Sequence, residues 1–120
     1  MNRLLSCALL MVVFSCGNPL PAFDNLNLIE WKDDKGACRT YRSQHIEDIR
    51  SQKEKLLSLK ESQVISLLGR PDRNELYKRN QKFYQFYLEP GPGCADPKVG
   101  ALKLVIRFNA MGLAKEVAIE

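Results

Sequence analysis

Ser58-Leu59-Lys60-Glu61-Ser62-Gln63-Val64-Ile65-Ser66-Leu67-Leu68-Gly69-Arg70-Pro71-Asp72 divides the chain into two kinds of structure. The stretch reads as one short helix with both ends marked. Ser58 and Glu61 form the S-x-x-E pattern of a capping box, in which each side chain satisfies an amide that the first turn leaves without a partner. Val64, Leu67 and Leu68 share one apolar face. Gly69 stands where a left-handed residue follows the last turn, and Pro71 pushes Arg70 out of helical geometry. After Pro71 the apolar period is 2. Before Ser58 come an apolar leader, a linker and a longer helical pattern.

Downstream, the alternation predicts strands over Glu75–Arg79, Lys82–Glu89, Ala101–Phe108 and Leu113–Ile119. Asn80-Gln81 and Asn109-Ala110-Met111-Gly112 make the tight turns. Tyr84, Phe86, Leu88, Leu104, Ile106 and Phe108 fall on one face, with Val117 and Ile119 inward on the last strand. The expected architecture is α+β: two helices packed on one face of a three- to four-stranded antiparallel sheet whose other face is wet. That second face carries Phe83, Tyr87, Val105, Arg107 and Lys103. It reads either as a partly exposed sheet or as a docking face for a protein partner, since Tyr, Phe and Arg are enriched at interfaces.

Upstream, Thr40 or Ser43 opens a helix reaching about Leu57, with Ile46, Ile49, Leu56 and Leu57 in its stripe and its charged residues facing water. Asp24 or Asn25 caps a shorter turn through Leu26, Leu28, Ile29 and Trp31. Trp31, the only tryptophan, is a packing residue. Asp33-Asp34-Lys35-Gly36 is a turn whose carboxylates do not match calcium-loop spacing. His45, the only histidine, has no ligand-spaced partner. No nucleophile and base set and no Gly-rich phosphate loop is present, so neither catalytic residues, metal ligands nor cofactors are expected. The chain has 18 Lys and Arg against 14 Asp and Glu, net +4, with no basic run that would track phosphates, so nucleic acid is not an expected partner.

Arg3 and the apolar run Leu4–Phe14 form an export leader, too short for a mature bilayer span, which needs about 20 residues. Val13-Phe14-Ser15-Cys16-Gly17 resembles the lipobox of bacterial lipoproteins. The resemblance implies that residues 1–15 are removed and that Cys16 becomes an acylated N-terminus. Loss of Arg3 lowers the net charge to +3. Residues 16–23, with Pro19 and Pro21, are the tether, and residues 24–120 one domain. Gly17 in place of Asp gives no reason for inner-membrane retention, so the expected location is the outer membrane, facing the periplasm. An exported domain left with Cys38 and Cys94 favours a disulfide between them. No C-x-x-C spacing marks them as a redox pair. Closing a loop of about 57 residues is worth about 4 kcal/mol in the chain-entropy model.

From Leu57 onward the chain resembles the SmpA/OmlA family of BamE-like outer-membrane lipoproteins. The resemblance rests on Val64-Ile65-Ser66-Leu67-Leu68-Gly69-Arg70-Pro71-Asp72, similar to the family's V-x-x-L-L-G-x-P. It rests also on the aromatic strand Phe83–Tyr87, and on Leu104-Val105-Ile106-Arg107-Phe108-Asn109 followed by Gly112 and Val117. It implies helices on an antiparallel sheet, a fold also seen in β-lactamase inhibitor proteins. It implies a non-enzymatic, periplasm-facing module that binds envelope proteins, as in the β-barrel assembly machinery. An inhibitor-like module acting on an envelope hydrolase through Phe83 and Tyr87 is the alternative.

Overall fold

The computed structural model describes residues 19–120. The leader, residues 1–15, and the lipidation expected at Cys16 lie outside the described residues. Among those described, four α-helices precede a four-stranded antiparallel sheet: α1 (Leu28–Asp33), α2 (Tyr41–Gln44), α3 (Ile46–Gln52), α4 (Glu61–Leu68), β1 (Arg73–Tyr77), β2 (Gln81–Tyr87), β3 (Lys103–Phe108) and β4 (Ala114–Ile119). Strand order follows chain order, so every neighbour is reached through a turn or a single loop. This is the α+β class that the change of period implies.

The helices differ from expectation in number and in bounds. The cap of α1 is Asn27, not Asp24 or Asn25. Asn27 is extended, so its Oδ1 accepts from the amides of Ile29 and Glu30 at 3.0 and 3.3 Å. Asn25 instead turns the chain with a φ of 57°. The single helix expected from Thr40 or Ser43 to Leu57 is split. His45, at φ −116° and ψ 21°, ends α2 and precedes α3, and Gln52 breaks α3 from a 3-10 turn over Lys53–Leu56. Three short segments can aim Arg42, Ile49 and Leu56 at the core together, and all three are buried.

Helix α4 starts at Glu61, so the Ser58–Glu61 capping box does not form. Ser58 sits at φ 67°, and its amide donates to the carbonyl of Ala114 at 2.8 Å. Ala114 donates back to Leu59 at 2.8 Å, and Glu61 donates to Gly112 at 3.2 Å. The donors that a helical cap would satisfy are taken by the start of β4. Lys60 is the observed N-cap, its amide donating to Gln63 Oε1 at 2.9 Å. At the other end Gly69 lies at φ 80° and ψ −173°, a glycine-specific conformation, with its amide on Ile65.

Strand register aligns Tyr84 with Ile106 and Phe86 with Leu104, and on β4 Val117 and Ile119 oppose Ile106 and Leu104. A bulge between Arg107 and Phe108 lets Ala114 oppose Phe108 while Glu116 opposes Arg107, which leaves Lys115 as the extra residue. The expected inner face is buried, with Phe86, Leu88, Leu104, Ile106 and Phe108 at 0% exposure. It joins Trp31, Ile49, Leu56, Val64, Leu67 and Leu68 in one apolar cluster. Trp31 and Phe86 lie 6.3 Å apart, and the indole nitrogen of Trp31 donates to the carbonyl of Leu68 at 3.1 Å.

Candidate functional site

Two arrangements stand out from this scaffold. The first is a buried charged junction, which the sequence reading missed because it placed the charged residues of this region in water. Arg42 on α2 is 1% exposed. Its Nη1 donates to Asp72 Oδ2 at 2.8 Å and to the carbonyl of Tyr87 at 3.3 Å, and its Nε donates to the carbonyl of Trp31 at 3.0 Å. The guanidinium lies 4.5 Å from the centre of the Trp31 ring. Asp72 also accepts from the amides of Gly36 at 2.9 Å and Tyr87 at 2.8 Å. Asp34, itself buried, accepts from the amides of Arg39 and Arg42. Burial lowers the pKa of Arg42 from its ordinary value, and the charges of Asp72 and Asp34 oppose that shift. The junction joins α1, α2, the entry to β1 and the end of β2.

The expected Cys38–Cys94 disulfide is present beside it, with Cα atoms 5.1 Å apart. Gly91, in the same loop as Cys94, donates its amide to the carbonyl of Gly36 at 2.9 Å and lies directly on the Tyr87 ring. Glu89 closes the loop from the other side. It pairs with Lys98 and accepts from the amide of Leu102, and these bonds lower its pKa below the usual carboxylate value. A groove of about 300 Å³ opens here, lined by Lys35, Asp72, Arg73, Tyr87, Gly91 and Pro92 among others.

The second arrangement is the sheet face turned away from the core. Phe83, Tyr87, Val105 and Arg107 all lie on it, as the period of 2 requires. It is not uniformly wet. Tyr87 is 8% exposed, Val105 7% and Gln85 8%, whereas Phe83 and Arg107 are half-buried. The Gly91 loop lies directly on the Tyr87 ring, and across the strands Arg73 opposes Gln85, Lys103 opposes Tyr87 and Arg107 opposes Phe83. Arg107 is held by Glu116 at 2.9 Å, which lowers the Glu116 pKa, and Arg73 is raised by its bond to Tyr87. Gln85 Oε1 is buried without a hydrogen-bond partner. What stays accessible is an aromatic pair at the β1–β2 end of the face: Tyr77, more than half exposed, packs on Phe83 with ring centres 4.7 Å apart.

His45 Nδ1 lies 2.8 Å from Asp48 Oδ2 and stacks near Tyr41, an arrangement that braces the break between α2 and α3. Among the described residues no group of three or more His, Cys, Asp or Glu side chains could hold a metal ion. No described helix is long and apolar enough to cross a membrane. No family model matches the chain, and neither a curated protein nor a solved structure matches it.

Proposed function

We propose that the chain is a lipid-anchored, non-enzymatic envelope protein that works by binding other envelope proteins. Its anchor is Cys16, and its docking surface is the outer sheet face around Phe83, Tyr87, Val105 and Arg107. The observation that carries the reading is the Tyr77–Phe83 pair: two tilted aromatic rings, one more than half exposed, beside Arg107 at the end of the outer sheet face away from the Gly91 loop that covers Tyr87. Aromatic and Arg side chains in such a setting supply most of the energy of a protein interface, and the charged rim around them excludes water. Tyr87 and Val105 are the buried part of this face, Tyr87 beneath the Gly91 loop. The lipobox-like Val13–Cys16 supports the anchor, and the SmpA/OmlA resemblance supports an outer-membrane, periplasm-facing location and a role near the β-barrel assembly machinery.

Mass spectrometry of the mature N-terminus tests the anchor. An acylated Cys16 is expected, and an unmodified first residue overturns it. A photo-activated cross-linking residue at Tyr77 tests the docking face in intact envelopes. The expected result is one discrete cross-linked species that disappears in Phe83→Ala and Arg107→Ala while Trp31 fluorescence stays native. Cross-links indifferent to both substitutions overturn the assignment of the face.

A further inference from the structure

The turns that join β1 to β2 and β3 to β4 lie at the same end of the sheet, and three large apolar side chains that the fold leaves exposed are spread along it, Leu76 on the β1 side and Met111 and Leu57 on the β4 side. Leu76 is 70% exposed, Met111 83% and Leu57 39%. Leu57 belongs to this end because Ser58, the next residue, donates its amide to Ala114 at the head of β4. Tyr77 stands at the corner where this end meets the outer sheet face.

Charge is distributed in the same way. Lys60, Arg79 and Lys115 are exposed at this end, and among the described residues none of them makes an ion pair. Three of the acids around them are occupied. Glu61 pairs with Lys82 and accepts from Tyr84, Glu75 pairs with Arg73, and Glu116 pairs with Arg107. The end therefore carries both unpaired cations and exposed Leu, Met and Tyr side chains.

The tether leaves from the same region. Phe23 is buried in the core, and Lys55 reaches from the 3-10 turn to the carbonyl of Ala22 at 2.7 Å. Gln52 holds Asp24 through both its amide nitrogen and its carbonyl. Three residues after Lys55, the chain is already bonded to β4. Cys16 precedes Phe23 by a span that reaches at most about 25 Å when fully extended.

We infer that this hairpin end docks on an anionic lipid headgroup surface, the face of the membrane to which the chain is tethered. The inference rests on the lipid-anchored reading above. The apolar tips of Leu57, Leu76 and Met111 enter the interfacial layer, and Lys60, Arg79 and Lys115 meet lipid phosphates. In this pose the disulfide groove points away from the bilayer, and the outer sheet face stands roughly perpendicular to it, open to a protein partner.

The test uses the mature protein purified from membranes and reconstituted in vesicles, either of phosphatidylcholine alone or of phosphatidylcholine with a minority of phosphatidylglycerol. Flotation reports the anchor. Lysine acetylation read by mass spectrometry reports the pose. Lys60 and Lys115 should be protected severalfold in the anionic vesicles relative to Lys35 and Lys98 at the opposite end, and high salt should reduce the protection. The double variant Arg79→Glu, Lys115→Glu should lose the protection of Lys60, since each basic residue removed lowers the docking equilibrium constant about fivefold. Equal labelling of both ends in protein that floats overturns the docking and leaves the anchor standing. Protection of Lys60 only in native membranes, and not in lipid vesicles, assigns the end to a protein and overturns the lipid surface. Protein that fails to float on phosphatidylcholine overturns the anchor. In that event protection on the anionic vesicles keeps the docking, and its absence removes both.

Discussion

Asp72→Ala removes the one acceptor shared by Arg42, Gly36 and Tyr87. The Arg42 guanidinium then stays in place without its ion-pair partner, with only the Asp34 charge left to oppose its burial. Both side chains of the pair are shielded from water, at 1% and 11% exposure, so solvent screening does not discount the effect. Removing one partner of a buried ion pair costs about 3–5 kcal/mol, mostly as the penalty of the charge left behind. A domain of this size has about 5–15 kcal/mol in total, so the variant should lie near the edge of folding. Urea unfolding followed by Trp31 fluorescence is the assay, because the only tryptophan is fully buried and touches Arg42. At about 1–1.5 kcal/mol per molar urea, the midpoint should fall by about 2–5 M. The second limb of the cycle is Arg42→Met, which fills the site with an apolar chain and leaves Asp72 its two amide donors. The double variant should be more stable than Asp72→Ala alone, because it no longer buries an unpaired cation. A loss below about 1 kcal/mol for Asp72→Ala, or strict additivity in the cycle, refutes the view that this pair is a coupled buried junction.

Three further outcomes are expected. Replacing Cys38 and Cys94 together by Ala should lower stability by up to about 4 kcal/mol and speed amide exchange at Gly91 before exchange in the strands. Gly91→Ala places a Cβ 2.8 Å from the Tyr87 ring, so differential scanning calorimetry should show a loss of about 1–3 kcal/mol with the disulfide intact. Tyr84 is pushed up to about 12 by burial and by donation to Glu61. Its neutral form is the one the fold favours, so this contribution is complete below the ordinary tyrosine value near pH 10 and is lost as pH rises toward 12. A phenolate absorbance titration should show one late step that is absent in Tyr84→Phe.

The sheet was legible because its signal is local. Alternation over Tyr84–Leu88 and Leu104–Phe108 places every second side chain on one face, and a one-residue slip would bury Lys103 and Arg107. The disulfide was legible by counting: with Cys7 and Cys16 in the expected leader and lipobox, Cys38 and Cys94 are the two left to pair. The helix bounds were not. Ser58 carries a sound local cap, yet its amide is claimed by Ala114, a residue far along the chain. No local pattern contains that competitor.

The charged junction was illegible for the converse reason. Arg42 occupies an ordinary polar position in a helical pattern, and the expectation for such a residue is solvent. It is buried because Asp72, the Tyr87 carbonyl, the Trp31 carbonyl and the Trp31 ring converge on one point from four parts of the chain. In the sequence Asp72 is only the residue that follows a helix-ending proline. Pro71 fixes the direction in which the chain leaves α4, and that direction delivers the Asp72 carboxylate to Arg42 and to the amides of Gly36 and Tyr87. The Leu-Leu-Gly-Arg-Pro-Asp segment therefore does two things at once: it stops a helix and seats a buried anion. A substitution at Pro71 should then be felt less in α4 than in the junction, where the carboxylate it aims holds the first helices to the end of β2.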